Sequence, residues 1–521
     1  MPIELDSDTT STTSSIESSS TVDPLSPPKS EPDTQEHIEP TAEHHFVFVM
    51  GLSLVSLFKN QTALLTLPIL VVVIVASLDN ADKQLMAASF PMLERTLGLD
   101  VKTLGYFSMF TNLSYALSLP FWGYMVHTHG MSRIHLLLGG ACFSWGITTA
   151  AIAVAGKSIA GQAVFRALNG FALGSILPLS QTLLVELVQI SMRGRAFGLM
   201  NLCEQLAGTL AAASIVYLDP RWEIPYYGLG ALSCVMGWVA HGTLTQRKIK
   251  QTQKQHSNYD DNSKETKEEE GAELTLKQII QRIIQIPTFI CLVAQGIFGG
   301  TPWEMMSFLL LLMDWRGFTK EQIVTIQFTT GLTATIGGYL GGLLGDFASQ
   351  HFYGTRGRIL LGVASVFGGI PLYGLFLYSE SYVWALLWGN AFRLWGTWTP
   401  SGALRPICAD LTRNASERAQ IIAMWIVLEK ACGAILGAPL VGYLTSNMLS
   451  EDESGNQSNN EKAHALAFNL FMLSSLFWFI CGCFWLATLF TLRKKEASQQ
   501  EPAKPTRGDA EAGNIEMNAL L

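Results

Sequence analysis

Long apolar blocks dominate this sequence and constrain its fold more than any other feature. A helix that crosses a lipid bilayer needs about 20 mainly apolar residues, and twelve blocks of this kind follow one another along the 521 residues. Only 15% of the residues are charged, whereas a soluble protein of this size usually carries about 25%. The chain is therefore predicted to cross a membrane many times.

The length of the apolar blocks distinguishes helices from the strands of a barrel. Backbone groups inside a bilayer must satisfy their own hydrogen bonds, which allows helices or a closed barrel. Barrel strands are only about ten residues long and alternate in polarity. The sequence therefore predicts twelve helices. Their ranges are roughly 64–86, 104–126, 134–155, 160–183, 196–218, 225–245, 287–313, 322–346, 358–378, 382–408, 419–446 and 465–492.

The connectors between these helices indicate the orientation of the chain. Lys and Arg are about twice as frequent on the side that carries the N-terminus, and positive connectors face the cytosol. Both termini are therefore predicted to be cytosolic. The long polar stretch at 246–286 contains an amphipathic segment and divides the helices six and six.

The polar segments and the helices together predict six regions. The N-terminal segment is acidic, rich in Ser and Thr, and of a composition typical of disorder. The regions are a disordered cytosolic tail at 1–45, an interfacial segment at 46–63, an N-terminal six-helix bundle at 64–245, a cytosolic linker at 246–286, a C-terminal six-helix bundle at 287–492 and a cytosolic tail at 493–521.

An internal repeat relates the two sets of six helices. Phe165-Arg166 in the fourth predicted helix corresponds to Phe392-Arg393 in the tenth, and Glu204 in the fifth corresponds to Glu429 in the eleventh. Each of the two glutamates has a glycine four residues later. Parallel duplicated halves imply an approximate two-fold axis along the membrane normal, with a binding site between the halves near the midplane.

Several motifs resemble those of the major facilitator superfamily. One follows the eighth helix, "GGLLGDFASQHFYGTRGRI", and its shorter counterpart "GYMVHTHGMSRI" follows the second, with His127 in place of the usual acid. The matching positions are Gly342, Asp346 and Arg358 in the C-terminal half and Gly123 and Arg133 in the N-terminal half. Within the superfamily, "SLDNADKQLMAASFPMLERTLGL" and "GAPLVGYL" are similar to spinster-like carriers and to an uncharacterised plant and algal branch.

This resemblance implies an all-α membrane protein with twelve transmembrane helices in two pseudo-symmetric six-helix bundles. It implies a secondary active or facilitative carrier of a small organic solute by rocking-switch alternating access. The solute is expected to be an anion or a lysolipid, with protons as a candidate coupling ion. It also implies a cytoplasmic gate at Gly123, Arg133, Gly342, Asp346 and Arg358. The alternative is a non-transporting membrane receptor or scaffold that signals through its tails.

Ionisable residues inside the predicted helices mark the candidate cavity. Each costs at least about 2.5–3.5 kcal/mol to insert, so each needs a reason to be there. The predicted cavity residues are Asp79, Asp82, Arg166, Glu204, Glu304, Arg393, Glu429 and, in a helix bent at Pro400, Trp398. Arg393 suits a carboxylate or phosphate, and Glu204 or Glu304 could bind a coupling proton.

For some of these residues a structural role is equally consistent with the sequence. Asp82 and Arg166 are expected at similar depth, where they would form either a relay that faces the cavity or a locked ion pair. Glu204 either serves the cavity or bonds to arginines of the next connector, and Trp398 either contacts the solute or packs against neighbours. Lys83 is expected to extend to the membrane surface.

Short signals in the connectors and tail predict processing and location. Asn456 begins an N-glycosylation sequon in a connector that is predicted to be luminal or extracellular. Glu516, Leu520 and Leu521 resemble an acidic dileucine sorting signal, so a vacuolar or lysosomal membrane is expected, with the plasma membrane as the alternative. We expect no enzyme activity, cofactor, metal site or nucleic-acid partner, and a functional monomer whose partners are the bilayer, the solute and protons.

Overall fold

The computed structural model describes residues 66–129, 133–188, 192–244, 287–352, 354–410, 415–450 and 458–500. These residues form twelve helices, several of them interrupted, which confirms the predicted all-α fold. They are α1 Leu67–Leu97, α2 Val101–His129, α3 Ile134–Ala155, α4 Ile159–Leu173 with Ile176–Leu187, α5 Arg193–Leu218, α6 Glu223–Thr243, α7 Pro287–Met305 with Leu309–Trp315, α8 Lys320–His351, α9 Thr355–Leu377, α10 Tyr382–Gly396 with Pro400–Leu404 and Arg405–Asp410, α11 Ala415–Leu436 with Ala438–Ser450, and α12 Asn459–Gln500.

Several predicted features lie outside the described residues. These are the tail at 1–45, the interfacial segment at 46–63, the linker at 246–286, the sequon at Asn456 and the signal at Glu516, Leu520 and Leu521. Within the described part, seven helical stretches are long and apolar enough to cross a membrane by length and composition. α1 is not among these seven, and from Asp79 to Arg95 it carries five charged residues as well as Asn80.

α1 differs most from its predicted bounds. The apolar block suggested an end at residue 86, but the helix continues to Leu97 and closes on Gly98, whose φ of 65° is a left-handed conformation. The charged residues did not end the helix because it packs inside the protein. Asp79 is 9% exposed and Asp82 3%.

Interruptions divide four of the helices. α10 was predicted to bend at Pro400, and the helix passes there into a π-helical segment at Pro400–Leu404. A proline removes a backbone donor, and π-helical turns often occur at functional positions. α7 narrows to a 3-10 turn at Met306–Phe308.

The helix packing repeats between the two halves, as the internal repeat predicted. In the N-terminal bundle α1 packs on α5, α2 on α4 and α3 on α6, and in the C-terminal bundle α7 packs on α11, α8 on α10 and α9 on α12. The bundles meet along α2 with α11 and α5 with α8. Each of these pairs recurs six helices later, which is the relation expected of a two-fold axis between the halves.

Glycines allow the closest helix contacts of the C-terminal bundle. Gly341 and Gly345 of α8 face Gly402 of α10, and a Cβ atom at Gly345 or Gly402 would collide with the facing backbone. Small residues at such contacts are the usual means by which helices approach each other in membranes. The contact fixes the position of α10, which carries Arg393.

Hydrogen bonds and ion pairs join the two bundles at one end of the molecule. We call the end where α1 begins the near end and the end where α1 finishes the far end. At the far end, Glu94 accepts hydrogen bonds from Trp315 at 2.7 Å and from Lys462 at 3.2 Å. Arg95 lies 3.5 Å from Asp314. These contacts join the N-terminal to the C-terminal bundle.

A second pair of far-end contacts extends this network. Asp219, which follows α5, lies 3.7 Å from Lys320 of α8, and Ser446 of α11 lies 3.3 Å from Asp100. These contacts, with those of Glu94 and Arg95, join the two bundles at the far end.

Candidate functional site

Two adjacent cavities lie at the middle of the molecule. The first, which we call the C-bundle cavity, has a volume of about 400 Å³ and is lined mainly by α7 to α12, with Asn201 and Gln205 of α5 completing its wall. The second, the interbundle cavity, has a volume of about 240 Å³ and is lined by α1 and α2 together with α7, α8, α10 and α11. Trp303 and Arg393 line both cavities.

Arg393 is the cation at the junction of the two cavities. Its neighbour Phe392 is buried and packs against Tyr373, Trp478 and Trp303, with ring centroids 4.9, 5.7 and 5.7 Å away. The guanidinium carbon of Arg393 lies 5.2 Å from the centre of the Trp303 ring, a cation–π contact. Among the described residues no carboxylate lies within ion-pairing distance of Arg393, so its charge is available to a ligand.

Glu429 of α11 supplies a carboxylate to the C-bundle cavity. Its Oε2 is buried and has no hydrogen-bond partner among the described residues. The side chain lies over Gly300 of α7, where a Cβ atom would be 2.5 Å from Glu429 Cγ. Gly300 therefore leaves the space that Glu429 occupies, and the carboxylate faces a cavity that also contains an unpaired cation.

Glu304 and Lys430 form an ion pair on the wall of the interbundle cavity. Lys430 Nζ of α11 lies 2.8 Å from Glu304 Oε1 of α7. Asn112 of α2 donates a hydrogen bond of 3.0 Å to the other carboxylate oxygen. Glu304 thus connects the two bundles at the level of the cavities.

Lys83 lines the interbundle cavity, which corrects the expectation that it reaches the membrane surface. It pairs with Asp79 at 2.7 Å and lies 4.3 Å from the centre of the Tyr115 ring. Four residues separate these two positions on one helix, a spacing at which opposite charges attract. Asp79 itself lines neither cavity, and its Oδ1 has no hydrogen-bond partner among the described residues.

Asp82 and Arg166 do not form the ion pair that their depth suggested. Asp82 accepts hydrogen bonds from Trp145 at 2.8 Å, Thr149 at 2.7 Å and Asn169 at 3.4 Å. A common depth gives only the position of the two side chains along the bundle axis. The direction of a side chain depends on how its helix is turned about its own axis, and α1 is turned so that Asp82 faces α3. Asp82 is buried inside the N-terminal bundle and lines neither cavity.

Arg166 is also buried inside the N-terminal bundle, at 1% exposure. It donates hydrogen bonds to Gln162 at 3.2 Å and to the Tyr226 hydroxyl at 3.4 Å, and it lies 5.0 Å from the centre of the Phe107 ring. Arg166 and Arg393 correspond in the repeat, yet only Arg393 reaches a cavity. The two halves therefore place the corresponding arginines in different surroundings.

Glu204 and Trp398 also lie outside the linings of the two cavities, contrary to expectation. Glu204 accepts a hydrogen bond from Asn80 through its backbone carbonyl, whereas the adjacent Gln205 faces the C-bundle cavity. Trp398 stacks on Trp395 with ring centroids 4.3 Å apart. Of the eight predicted cavity residues, Glu304, Arg393 and Glu429 line a cavity.

The residues predicted to form a gate lie at the near end. Asp346 and Arg358 form an ion pair of 2.7 Å, and Arg358 also donates to the Gly402 carbonyl at 3.1 Å. This pair links α8, α9 and α10 inside the C-terminal bundle. Arg133 is exposed at the start of α3, and Gly123 has open space where a Cβ would be. Gly342 likewise has open space at its Cβ position.

Sequence reasoning missed several cavity residues that no charge marks. Trp425 faces the C-bundle cavity with its indole nitrogen buried and unpartnered among the described residues. Asn112 and Tyr115 line the interbundle cavity. One signal was available, because Asn112 lies in a membrane helix and a polar side chain there favours a protein-facing position.

Comparison with known proteins agrees with this architecture. A model of the Major Facilitator Superfamily matches residues 72–428. No curated protein sequence matches the chain. Among solved structures, a bacterial homologue of the human lysosomal transporter Spinster, in an inward-facing and occupied conformation, has a TM-score of 0.61 at 15% identity and covers 82% of this chain and 97% of its own.

Two further structures have the same fold. The nucleoside transporter NupG gives a TM-score of 0.58 at 14% identity over 79% of this chain and 98% of its own. The xylose transporter XylE from E. coli, in an inward-open conformation, gives 0.53 at 13% identity over 84% of this chain and 97% of its own. With the family model matching more than half of the sequence, the chain belongs to the Major Facilitator Superfamily of multi-pass membrane transporters.

Proposed function

We propose that this protein is a secondary transporter that moves a small organic solute through the C-bundle cavity by rocking-switch alternating access. The observation that carries the proposal is the pair of uncompensated charges on that cavity, Arg393 and Glu429. Charges inside a membrane are costly to keep and usually serve transport. A receptor or scaffold that signals through its tails would not need them.

The contacts between the bundles support an inward-facing state. The far end is joined through Glu94, Arg95 and Asp219, and the C-bundle cavity extends from the middle of the helices towards the near end, where Leu404 lines it. Because the near end is predicted to be cytosolic, this cavity would exchange solute with the cytosol. Transport then requires the far-end contacts to break while contacts form at the near end, with Gly123, Arg133, Gly342, Asp346 and Arg358 as the cytoplasmic gate.

The chemistry of the cavity favours a solute with an anionic group. Arg393 offers a planar set of donors that suits a carboxylate or a phosphate. Aromatic rings of Trp303, Phe392, Trp425 and Trp478 line the remaining wall and suit an apolar body. Small organic solutes that carry an anionic group on an apolar body, lysolipids among them, combine these features.

Protons are the proposed coupling ion. Glu304 touches both bundles through Lys430 and Asn112, so its protonation would remove the attraction to Lys430. Glu429 is a second candidate because its carboxylate has no partner among the described residues. We propose that the transporter acts as a monomer in a vacuolar, lysosomal or plasma membrane, with both termini in the cytosol.

The test combines a search for the solute with a transport assay. Untargeted metabolite and lipid comparison of cells with and without the gene identifies compounds that accumulate. Each compound is then assayed for uptake into proteoliposomes of the full-length protein, with and without an imposed pH gradient. Saturable uptake that an inward proton gradient stimulates supports the proposal. No flux for any compound, with a phenotype that depends only on the tails, would favour the receptor.

A further inference from the structure

The C-bundle cavity presents one acidic and one basic group that do not neutralise each other. Arg393 and Glu429 line the same cavity, and the described part of the chain contains no ion pair between them. Resting on the proposed function, we infer that the solute is a small zwitterion of the amino-acid type, with a carboxylate for Arg393, an ammonium for Glu429 and an aromatic or apolar side chain.

The acidic pole of the cavity is Glu429. The adjacent Lys430 forms its ion pair with Glu304, on the wall of the other cavity. Glu429 Oε2 is buried and lacks a hydrogen-bond donor among the described residues. A carboxylate in this position is stabilised by a ligand that brings a positive charge and N–H donors.

The basic pole of the cavity is Arg393. Its guanidinium carbon lies 5.2 Å from the centre of the Trp303 ring, and a guanidinium carries five N–H donors in a planar set. A carboxylate on the solute would accept from two of them at once. A solute with a carboxylate and no ammonium would add a second negative charge to the cavity that Glu429 lines. Two negative charges repel strongly where water is scarce.

The rest of the wall defines the body of the solute. Four aromatic side chains line the cavity, and the buried indole N–H of Trp425 lacks an acceptor among the described residues. A volume of about 400 Å³ lies in the range of small-molecule sites. These features suit an amino acid with a ring or a branched apolar side chain.

Matched ligands test the two poles without changing the protein. One set is tryptophan, indole-3-propionate, which lacks the amine, and tryptamine, which lacks the carboxylate. The other set is phenylalanine, 3-phenylpropionate and phenethylamine. Binding is measured on the full chain in nanodiscs by isothermal titration calorimetry at neutral pH. We expect a zwitterion of at least one set to bind at least about tenfold more tightly than either of its single-charge analogues.

Two variants assign the preference to the two residues. Glu429→Gln should bring the zwitterion and its amine-free analogue to within about twofold of each other, because the partner of the ammonium is gone. Arg393→Gln should do the same for the zwitterion and its carboxylate-free analogue. Glu380→Gln and Arg221→Gln change exposed residues and should leave both preferences intact.

The outcomes separate this inference from the proposed function. The inference of a zwitterionic solute is wrong if indole-3-propionate and 3-phenylpropionate bind as tightly as the amino acids. It is also wrong if neither amino acid binds. In either case, Arg393-dependent uptake of a different solute would still support the transporter proposal. If no compound enters proteoliposomes at all, the transporter proposal is wrong. Amino-acid binding without any flux would then indicate a receptor site.

Discussion

Asn112 of the N-terminal bundle donates a hydrogen bond of 3.0 Å to Glu304 of the C-terminal bundle, and Lys430 pairs with the same carboxylate at 2.8 Å. The three residues come from α2, α7 and α11, and they line the interbundle cavity. Any rocking of one bundle against the other must change the distance between Asn112 and Glu304. The arrangement can therefore connect the protonation of one carboxylate to the position of the bundles.

Glu304→Gln should lower stability and remove the effect of a proton gradient on uptake. Lys430 loses its counter-charge in this variant. Because the Lys430 side chain is 39% exposed, we expect the free energy of unfolding to fall by roughly 1–2 kcal/mol, less than for a fully buried pair. Thermal unfolding in nanodiscs measures the stability, and proteoliposome uptake measures the coupling. Adding Lys430→Met should recover part of the stability. Undiminished stimulation by protons in Glu304→Gln would exclude this residue as the coupling site.

The far-end contacts should set how readily that end opens. Glu94→Gln weakens its contacts with both Trp315 and Lys462. Partly exposed ion pairs contribute about 0.2–1 kcal/mol each. The loss of one such pair changes the population ratio between the forms closed and open at the far end by roughly 1.5- to 5-fold. Hydrogen-exchange mass spectrometry should show faster exchange at residues 97–101 and 315–320. Glu461→Gln, at the start of α12, is the control, and equal protection in both variants would contradict a closing role.

Gly300→Ala should impair transport without unfolding the protein. The added Cβ would lie 2.5 Å from Glu429 Cγ and would displace that carboxylate from its place on the cavity wall. A misplacement of this size at a functional group reduces uptake by about tenfold or more. Gly338→Ala is the matched control, because no atom lies within 4 Å of its new Cβ. Equal uptake by the two variants would show that the position of Glu429 does not matter.

Asp82→Ala should destabilise the N-terminal bundle and leave solute binding unchanged. Removing the carboxylate leaves the buried donors of Trp145 and Thr149 without their acceptor, at about 1–3 kcal/mol for each unsatisfied group. The melting temperature measures the first effect and calorimetric binding the second. Asp82→Asn keeps one acceptor oxygen and should lose less stability. A changed binding preference in Asp82→Asn would mean that Asp82 faces the solute in another state.

The sequence predicted the fold well because the length and polarity of a helix decide whether it can cross a bilayer. The apolar blocks located all twelve helices, and the repeated Phe-Arg pair revealed that the halves correspond. The end of α1 was placed too early, because Asp79 and Asp82 are buried by protein instead of facing lipid.

The candidate site was less predictable, because rotation of a helix about its axis decides where a side chain points. Arg166 and Arg393 occupy corresponding positions, but Tyr226 and Phe107 enclose Arg166, while Arg393 reaches the cavities. Depth alone suggested a pair between Asp82 and Arg166 that tertiary packing does not form. The Asp79–Lys83 pair, in contrast, could have been predicted from its spacing on one helix.

Counterflow of a labelled solute, catalysed by the Arg393→Gln variant, shows whether transport needs the Arg393 charge. In proteoliposomes loaded with the unlabelled solute, we expect counterflow at least about tenfold slower for Arg393→Gln than for the folded control Arg221→Gln, with both proteins reconstituted at equal density. Equal counterflow by the two variants would contradict it, because the solute would then cross without using the one cavity cation that has no carboxylate partner among the described residues.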